Sequence, residues 1–224
     1  MSKLFLVPTP IGNLKDITYR AVEILGSVDI ILAEDTRHAV RLLKHYNISR
    51  KLLSHHKFNE HHSADPVCDL IRSGKTAALI SDAGTPGISD PGFLLVRKCI
   101  EKGIPVETLP GPSALIPALV NSGLPSDRFC FEGFLPVRKG RRKKLTSLET
   151  EPRTMIFYES PYRLLKTLGE MAEHFGPERQ ASVSRELSKI FEETIRGTLG
   201  FLADHFRNNP PKGEIVVVVS GKKN

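Results

Sequence analysis

Short apolar runs alternate with longer amphipathic stretches through the first half of the chain. Leu4 to Val7, Asp29 to Ala33, Leu52 to His55, Thr76 to Ile80 and Val106 to Leu109 are aliphatic or β-branched. Bounded by polar and turn-forming residues, they have the pattern of buried strands. Between them, Ile17 to Leu25, Arg37 to Tyr46, a segment through Val67 to Ile71, Phe93 to Glu101 and Ser113 to Asn121 space their apolar residues as helices do. Asp16 stands where an N-cap of the first helix would. Strand and helix in this alternation predict crossover units, so residues 1–121 are read as an α/β domain whose mostly parallel sheet is covered on both faces. Each unit leaves a loop at the carboxyl end of its strand, the edge where open α/β sheets bind ligands.

The pattern changes after Asn121. Gly123-Leu124-Pro125 and the stretch Gly133 to Gly140 predict a connection between domains, with a run of cations behind it. Met155 to Tyr158, a helix over Leu164 to His174, Ala181 to Arg185, Phe191 to Arg196, a helix near Leu199 to Phe206 and Glu214 to Val219 follow. Phe191-Glu192-Glu193-Thr194-Ile195 is partly alternating, which predicts a mixed sheet. Residues 122–224 are therefore read as a basic linker and a C-terminal α/β domain.

With 40% hydrophobic and 25% charged residues in 224, the chain has enough apolar side chain for a packed core, which excludes disorder throughout. Its longest aliphatic stretch, Ile215 to Val219, falls far short of the ~20 residues that cross a bilayer. The run Lys3 to Val7 is stopped by Pro8 before it could serve as a signal core. A soluble, cytoplasmic protein with no membrane association is expected. Cys68, Cys99 and Cys130 are unclustered, which favours free buried thiols over a disulfide framework or a zinc knuckle. The net charge of +7 is localised: without Arg138, Lys139, Arg141, Arg142, Lys143 and Lys144 the remainder carries +1. Such a cluster is the footprint of a phosphate-binding segment, or else of a solvated linker.

Several tempting motifs fail. Gly74-Lys75-Thr76 has Asp69 where a phosphate loop needs its first glycine, and it precedes a strand instead of following one, so Gly74 reads as a helix C-cap. No dinucleotide-binding glycine pattern follows the first strand. His55, His56, His61 and His62 are adjacent pairs, not partners at helical spacing, so no metal site is assigned. Ser113 lacks the glycines of a nucleophile elbow.

What remains is three rigid loops at strand ends: Pro8 to Asn13, Ser81 to Gly87 and Pro110 to Ala114. Their glycines permit close approach and their prolines stiffen the backbone, which suits a flat heterocyclic ligand. Together with VPTPIGNLKDIT at Val7 to Thr18, AEDTR at Ala33 to Arg37, SDAGTPGISDPG at Ser81 to Gly92, LPGPSA at Leu109 to Ala114, GLPSDRFCFEGFLP at Gly123 to Pro136, FYESPYRL at Phe157 to Leu164, SREL at Ser184 to Leu187 and KGEIVVVV at Lys212 to Val219, they resemble the tetrapyrrole methylase family of S-adenosylmethionine-dependent (class III) methyltransferases. The resemblance is closest to the family's branch acting on small-subunit ribosomal RNA.

That resemblance implies two α/β domains with S-adenosylmethionine folded between them, in a homodimer. It places the donor against Pro10, Gly12, Asp82, Gly84, Thr85, Ser113 and Ala114, and near Tyr158, Glu186 and Gly213. The implied reaction methylates a cytidine ribose 2′-hydroxyl in the decoding region of 16S ribosomal RNA, within the assembled small subunit. Many relatives of that branch carry a further helical segment after the last strand, whereas this sequence stops at Asn224.

A ribose hydroxyl is a poor nucleophile, so a general base is expected. Glu34 and Asp35 are the candidates, though Asp35 could equally cap the following helix. Glu186 is a third, unless it pairs with Arg185 or Arg163. Asn13, Arg37, Asn59 and Glu60 are candidates for positioning substrate, and the cluster Arg138 to Lys144 for holding phosphates. Phe129, Phe131 and Phe134 could stack on splayed bases but are read first as core. Methylation of a small tetrapyrrole and a non-catalytic RNA-binding module are the competing readings.

Overall fold

The structure, a computed structural model, describes residues 2–222. The chain divides into two compact units, Met1–Ser113 and Ala114–Asn224.

The first unit runs β1 (Leu4–Leu6), α1 (Tyr19–Ser27), β2 (Ile30–Ala33), α2 (Thr36–His45), β3 (Lys51–Ser54), α3 (Glu60–Arg72), β4 (Ala77–Ile80), α4 (Phe93–Glu101) and β5 (Val106–Thr108). Its sheet has the order β3-β2-β4-β1-β5, and every pairing is parallel. Side chains alternate between the two faces of a strand. Leu4, Leu6, Ile30, Leu32 and Leu79 accordingly pack with Val67, Ile71 and Leu95 of α3 and α4. Phe5, Val7, Ile31, Ala33 and Ile80 pack with Leu25 of α1 and Leu43 of α2. Burial on both faces explains why these strands read as unbroken apolar runs.

Two local readings are settled here. Thr18, not Asp16, caps α1: its hydroxyl accepts from the Ala21 N–H at 3.1 Å, while Asp16 ends a 3₁₀ turn over Leu14–Asp16. The turn uses up residues that periodicity alone assigned to the helix. Gly74 closes α3 from just beyond the Ser73 cap, at φ 102°, with Gly74 N–H on Ile71 and Lys75 N–H on Leu70 carbonyls. This is the left-handed finish that glycine permits.

The second unit runs α5 (Leu115–Ser122), β6 (Phe129–Phe134), α6 (Arg141–Leu148), β7 (Thr154–Glu159), α7 (Leu164–Phe175), β8 (Gln180–Arg185), β9 (Glu193–Thr198), α8 (Leu199–Asn208) and β10 (Ile215–Val219). The sheet order is β6-β7-β10-β8-β9, with β6 parallel to β7 and all other pairs antiparallel, a mixed sheet as the alternation predicts. Met155, Phe157, Val183 and Val217 pack one face against Leu145, Leu168, Met171 and Leu202 of α6, α7 and α8. Helix α5 lies along β8, β9 and β10. The sequence reading ends the first domain after this helix, at residue 121; the unit division falls ahead of it.

The predicted connection over residues 122–140 needs correction. Phe129–Phe134 is edge strand β6, irregular between Phe131 and Gly133, and the basic run leads into α6. Nor are all its phenylalanines core: Phe129 and Phe134 are exposed, while Phe131 is partly covered, its ring 4.9 Å from that of Tyr158. An edge strand is paired on one side only, so its flanks stay open to water.

Candidate active site

In the first unit the three rigid loops are joined to one another. Thr9 and Gly84 exchange backbone hydrogen bonds in both directions, each at 2.9 Å, and the buried Thr9 hydroxyl donates to the Ser81 carbonyl at 3.0 Å. The Thr85 hydroxyl donates to the Pro112 carbonyl at 3.3 Å. Gly84, at φ 78°, takes a conformation most side chains avoid. A Cβ on Gly111 would stand 2.7 Å from that of Pro8, so only glycine lets the first and third loops meet. The result is a cradle walled by backbone amides and carbonyls. Pro10, Gly12, Gly84 and Thr85 are brought together on these three loops, with Ser113 at the end of the third and Ala114 opening the second unit.

Asp82 leaves the second loop toward β2. Its Oδ1 accepts from the Asp35 N–H at 3.2 Å, and its Oδ2 lies 3.4 Å from His38 Nδ1. A cavity of about 270 Å³ opens here, lined by Pro10, Gly12, Ala33, His38, Ser81 and Asp82.

The two candidate bases separate. Asp35 is the N-cap of α2: Oδ1 accepts from the Arg37 N–H at 2.8 Å, and the carboxylate holds the Arg37 guanidinium at 2.6 Å. Arg37 thereby holds it well below the usual carboxylate range, which makes it a very weak base and removes it from that role. Glu34, half-buried, is pushed upward, first by burial and then by the charge of Asp82. It is the carboxylate suited to accept a proton.

Beside it stands a residue the sequence reading passed over. Asp90 is pushed up to about 7, first by burial and then by Glu34, and it is hydrogen-bonded to the Ser81 hydroxyl. Ser81 Oγ lies 3.3 Å from both the Ala83 and Gly84 carbonyls. The Ser81 hydrogen bond acts against burial and lowers the Asp90 pKa, so burial and the neighbouring carboxylates outweigh it. The loop is built to hold it there: Ser89 sits at φ 64°, and a Cβ on Gly92 would come within 2.9 Å of Leu79. Ser89-Asp90-Pro91-Gly92 carried a turn signal, but the burial comes from loops distant in sequence. Thr9 and His38 were missed for the same reason.

The substrate candidates of this unit mostly shape backbone. Asn13 caps the 3₁₀ turn, accepting from the Lys15 N–H at 3.1 Å. Asn59 accepts from the His56 N–H at 2.7 Å and donates to the Ser54 carbonyl at 3.2 Å. Glu60 accepts from the Gly92 N–H at 3.4 Å, tying α3 to the Asp90 loop. Arg37 projects into solvent while holding Asp35.

In the second unit, strand register places Tyr158, Glu186 and Gly213 near one end of the sheet, since β10 pairs Val216 with both Tyr158 and Ser184. Gly213 is obligatory: at φ 89°, its Cβ would come within 2.2 Å of Glu186 Oε1. Glu186 accepts from the Glu214 N–H at 2.9 Å and from Lys189 at 2.8 Å, and Lys189 holds it below its usual range. It is therefore no base. Its partner is neither Arg185, which holds Glu193, nor Arg163, which holds Glu159, each at 2.7 Å.

The basic cluster is sorted by the structure into different roles. Arg141 is buried: its guanidinium reaches Glu170 at 2.6 Å, Thr167 Oγ1 at 2.7 Å and the Pro136 carbonyl at 3.2 Å. Thr167 in turn donates to the buried Glu159 at 2.6 Å. Arg141 therefore cannot hold a phosphate, and that expectation is withdrawn. Lys144 pairs with Glu132. Arg138, Lys139, Arg142 and Lys143 remain exposed.

A parallel sheet with a loop cradle, joined in one chain to a mixed sheet, defines a class of two-sheet α/β enzymes, and solved structures share it. Cobalt precorrin-4 methyltransferase superposes with a TM-score of 0.72 at 17% identity, over 98% of this chain and 95% of its own. Uroporphyrin-III C-methyltransferase from Thermus thermophilus gives 0.67 at 19%, over 97% and 94%. At such identities the likeness is one of fold. A profile of the tetrapyrrole (corrin/porphyrin) methylases matches residues 3–203. Proteins named ribosomal RNA small subunit methyltransferase I are similar along nearly the whole chain. The one from Escherichia coli O157:H7 is 50% identical over 99% of this chain and 78% of its own length, that from Thermotoga maritima 48% over 100% of both, and that from Xylella fastidiosa 53% over 97% and 81%. The chain belongs to the tetrapyrrole methylases and is a methyltransferase.

Proposed function

We propose that the protein methylates small-subunit ribosomal RNA, with S-adenosylmethionine as donor and the 2′-hydroxyl of a cytidine ribose in the decoding region of 16S RNA as acceptor. The observation that carries the reading is the joined three-loop cradle beside Glu34, in a chain about half identical to small-subunit ribosomal RNA methyltransferases. The donor fits such walls. It supplies an electrophilic methyl on a sulfonium whose positive charge is lost on transfer, so a site of backbone dipoles and few cations does not oppose it. Asp82, Gly84, Thr85, Pro10, Gly12, Ser113 and Ala114 are the proposed donor contacts. Tyr158, Glu186 and Gly213 are carried forward on the strength of their motifs alone.

Glu34 takes the proton of the acceptor hydroxyl, a role worth roughly 10²- to 10⁴-fold in rate. Asp90, beside it, titrates at about 7 and so limits the negative charge around Glu34 increasingly as pH falls below neutrality. Holding acceptor and methyl in line supplies the larger part of the acceleration. No helix among the described residues is long and apolar enough to cross a membrane; a cytoplasmic homodimer acting on the assembled subunit completes the proposal.

The test uses methyl-labelled donor with small subunits from cells lacking the gene. Label on ribose in 16S RNA supports the reading, and label passing only to a porphyrinoid overturns it. Absence of donor binding by calorimetry leaves only the non-catalytic module. Asp82→Ala is expected to weaken donor binding and leave RNA binding intact; unchanged donor affinity counts against its placement.

A further inference from the structure

The cations after β6 do not form one surface. A groove of about 610 Å³ runs between α6 and α7, and Arg138 and Arg142 line it while Lys139 and Lys143 do not. The helix repeat explains the division. Arg142 and Leu145, three apart, share the face of α6 turned toward α7, and Lys143 falls off it. Across the groove, Lys166, Glu170, Glu173 and His174 recur at the spacing of one helix face.

The balance of this groove is positive. Four cations line it against the carboxylates Glu170 and Glu173. Glu170 is already held by Arg141 at 2.6 Å and lies 3.8 Å from Lys166, while His174 is occupied by Glu149 at 2.7 Å. Glu173 is the other lining carboxylate. Arg138, Arg142 and Lys166 are exposed, and Lys166 reaches the Arg141 network only through its long 3.8 Å approach to Glu170. The buried Arg141 fixes α6 to α7 from beneath, so the two walls hold their spacing.

We propose that the phosphodiester backbone of the RNA substrate docks in the α6–α7 groove, held by Arg138, Arg142 and Lys166, with Lys139 and Lys143 taking no part. This rests on the reading that the acceptor is RNA. A spread of separated cations on two elements suits a chain of phosphates, which such contacts position without reading sequence. Lys166 enters as a binding residue from a helix remote from the cluster in sequence.

The experiment measures affinity for a 16S RNA transcript across a salt series. It compares the full chain with Arg138→Gln/Arg142→Gln/Lys166→Gln and with Lys139→Gln/Lys143→Gln. Loss of three phosphate contacts is expected to flatten the slope of log K against log salt by about 2, at about 0.7 per single-strand contact, and the second variant to keep the parent slope. Lys166→Gln alone is expected to flatten it by about 0.7. All three groove side chains are exposed, so thermal melting is expected to stay at the parent value. Equal flattening per charge in both sets overturns the groove and restores a diffuse basic patch. An unchanged slope in the groove set overturns it as well. A parent chain that binds S-adenosylmethionine but no RNA overturns the functional reading together with the groove, which sets that failure apart from the other two.

Discussion

Replacing Asp90 with asparagine isolates one buried proton and gives it a stability signature. In the folded chain Asp90 titrates not at its ordinary 3.8 but at about 7, because burial opposes its charge and Glu34 and Asp82 face it as carboxylates. The Ser81 hydrogen bond opposes them and lowers it, and His56 acts on the cluster only through Glu34. A raised pKa means that the folded state holds the proton more tightly than the unfolded chain. The associated stability is complete below pH 3.8 and is lost as pH rises through about 7. The separation corresponds to about 4 kcal/mol at 1.36 kcal/mol per pH unit, of which about 2.5 kcal/mol falls between roughly pH 5 and 8. Asparagine keeps a hydrogen-bonding partner for Ser81 Oγ and carries no charge at any pH. Urea unfolding of both proteins at the two pH values gives the difference directly. His55, lowered by burial, titrates in both proteins and cancels, while Glu34, raised in the same sense, is coupled to Asp90 and its coupling is part of the measured difference. The asparagine variant is expected to gain on the parent by about 2.5 kcal/mol on going from the lower to the higher pH. A gap that is the same at both values, or that shrinks at the higher one, refutes a protonated Asp90.

Two further outcomes are expected. Arg141→Met leaves Glu170 without its guanidinium and Thr167 Oγ1 without its donor and lowers stability by about 3 kcal/mol, read as a fall in thermal midpoint; Arg142→Gln, at an exposed position of the same helix, is expected to stay within about 0.5 kcal/mol of the parent. Glu34→Gln is expected to cut kcat by roughly 10²-fold or more while calorimetry shows donor binding intact, and a kcat unchanged by that substitution would remove Glu34 as the base.

The parts of this protein that could be read from sequence are those in which one residue's neighbours along the chain determine its environment. Strands β1, β2 and β4 are legible because both faces are buried, so apolar runs need no knowledge of what covers them. The loop cradle is legible because glycine and proline act locally, at Gly84 and Gly111 above all. The basic cluster shows where that logic stops. Arg138, Arg141 and Arg142 are chemically alike in sequence and fall within five positions, yet Arg141 lies under the helix because Thr167 and Glu170, a whole strand and turn away, supply its partners. Asp35 and Glu34 diverge for the same reason in reverse: Arg37 claims one from two residues off, while burial and then Asp82 raise the other. A charged side chain is a ligand for solvent, for substrate or for another part of the fold, and only the long-range partners decide among them. The sequence could therefore announce that this protein meets a polyanion and a methyl donor; the packing of α6 on α7 decides which of its cations are free to do so.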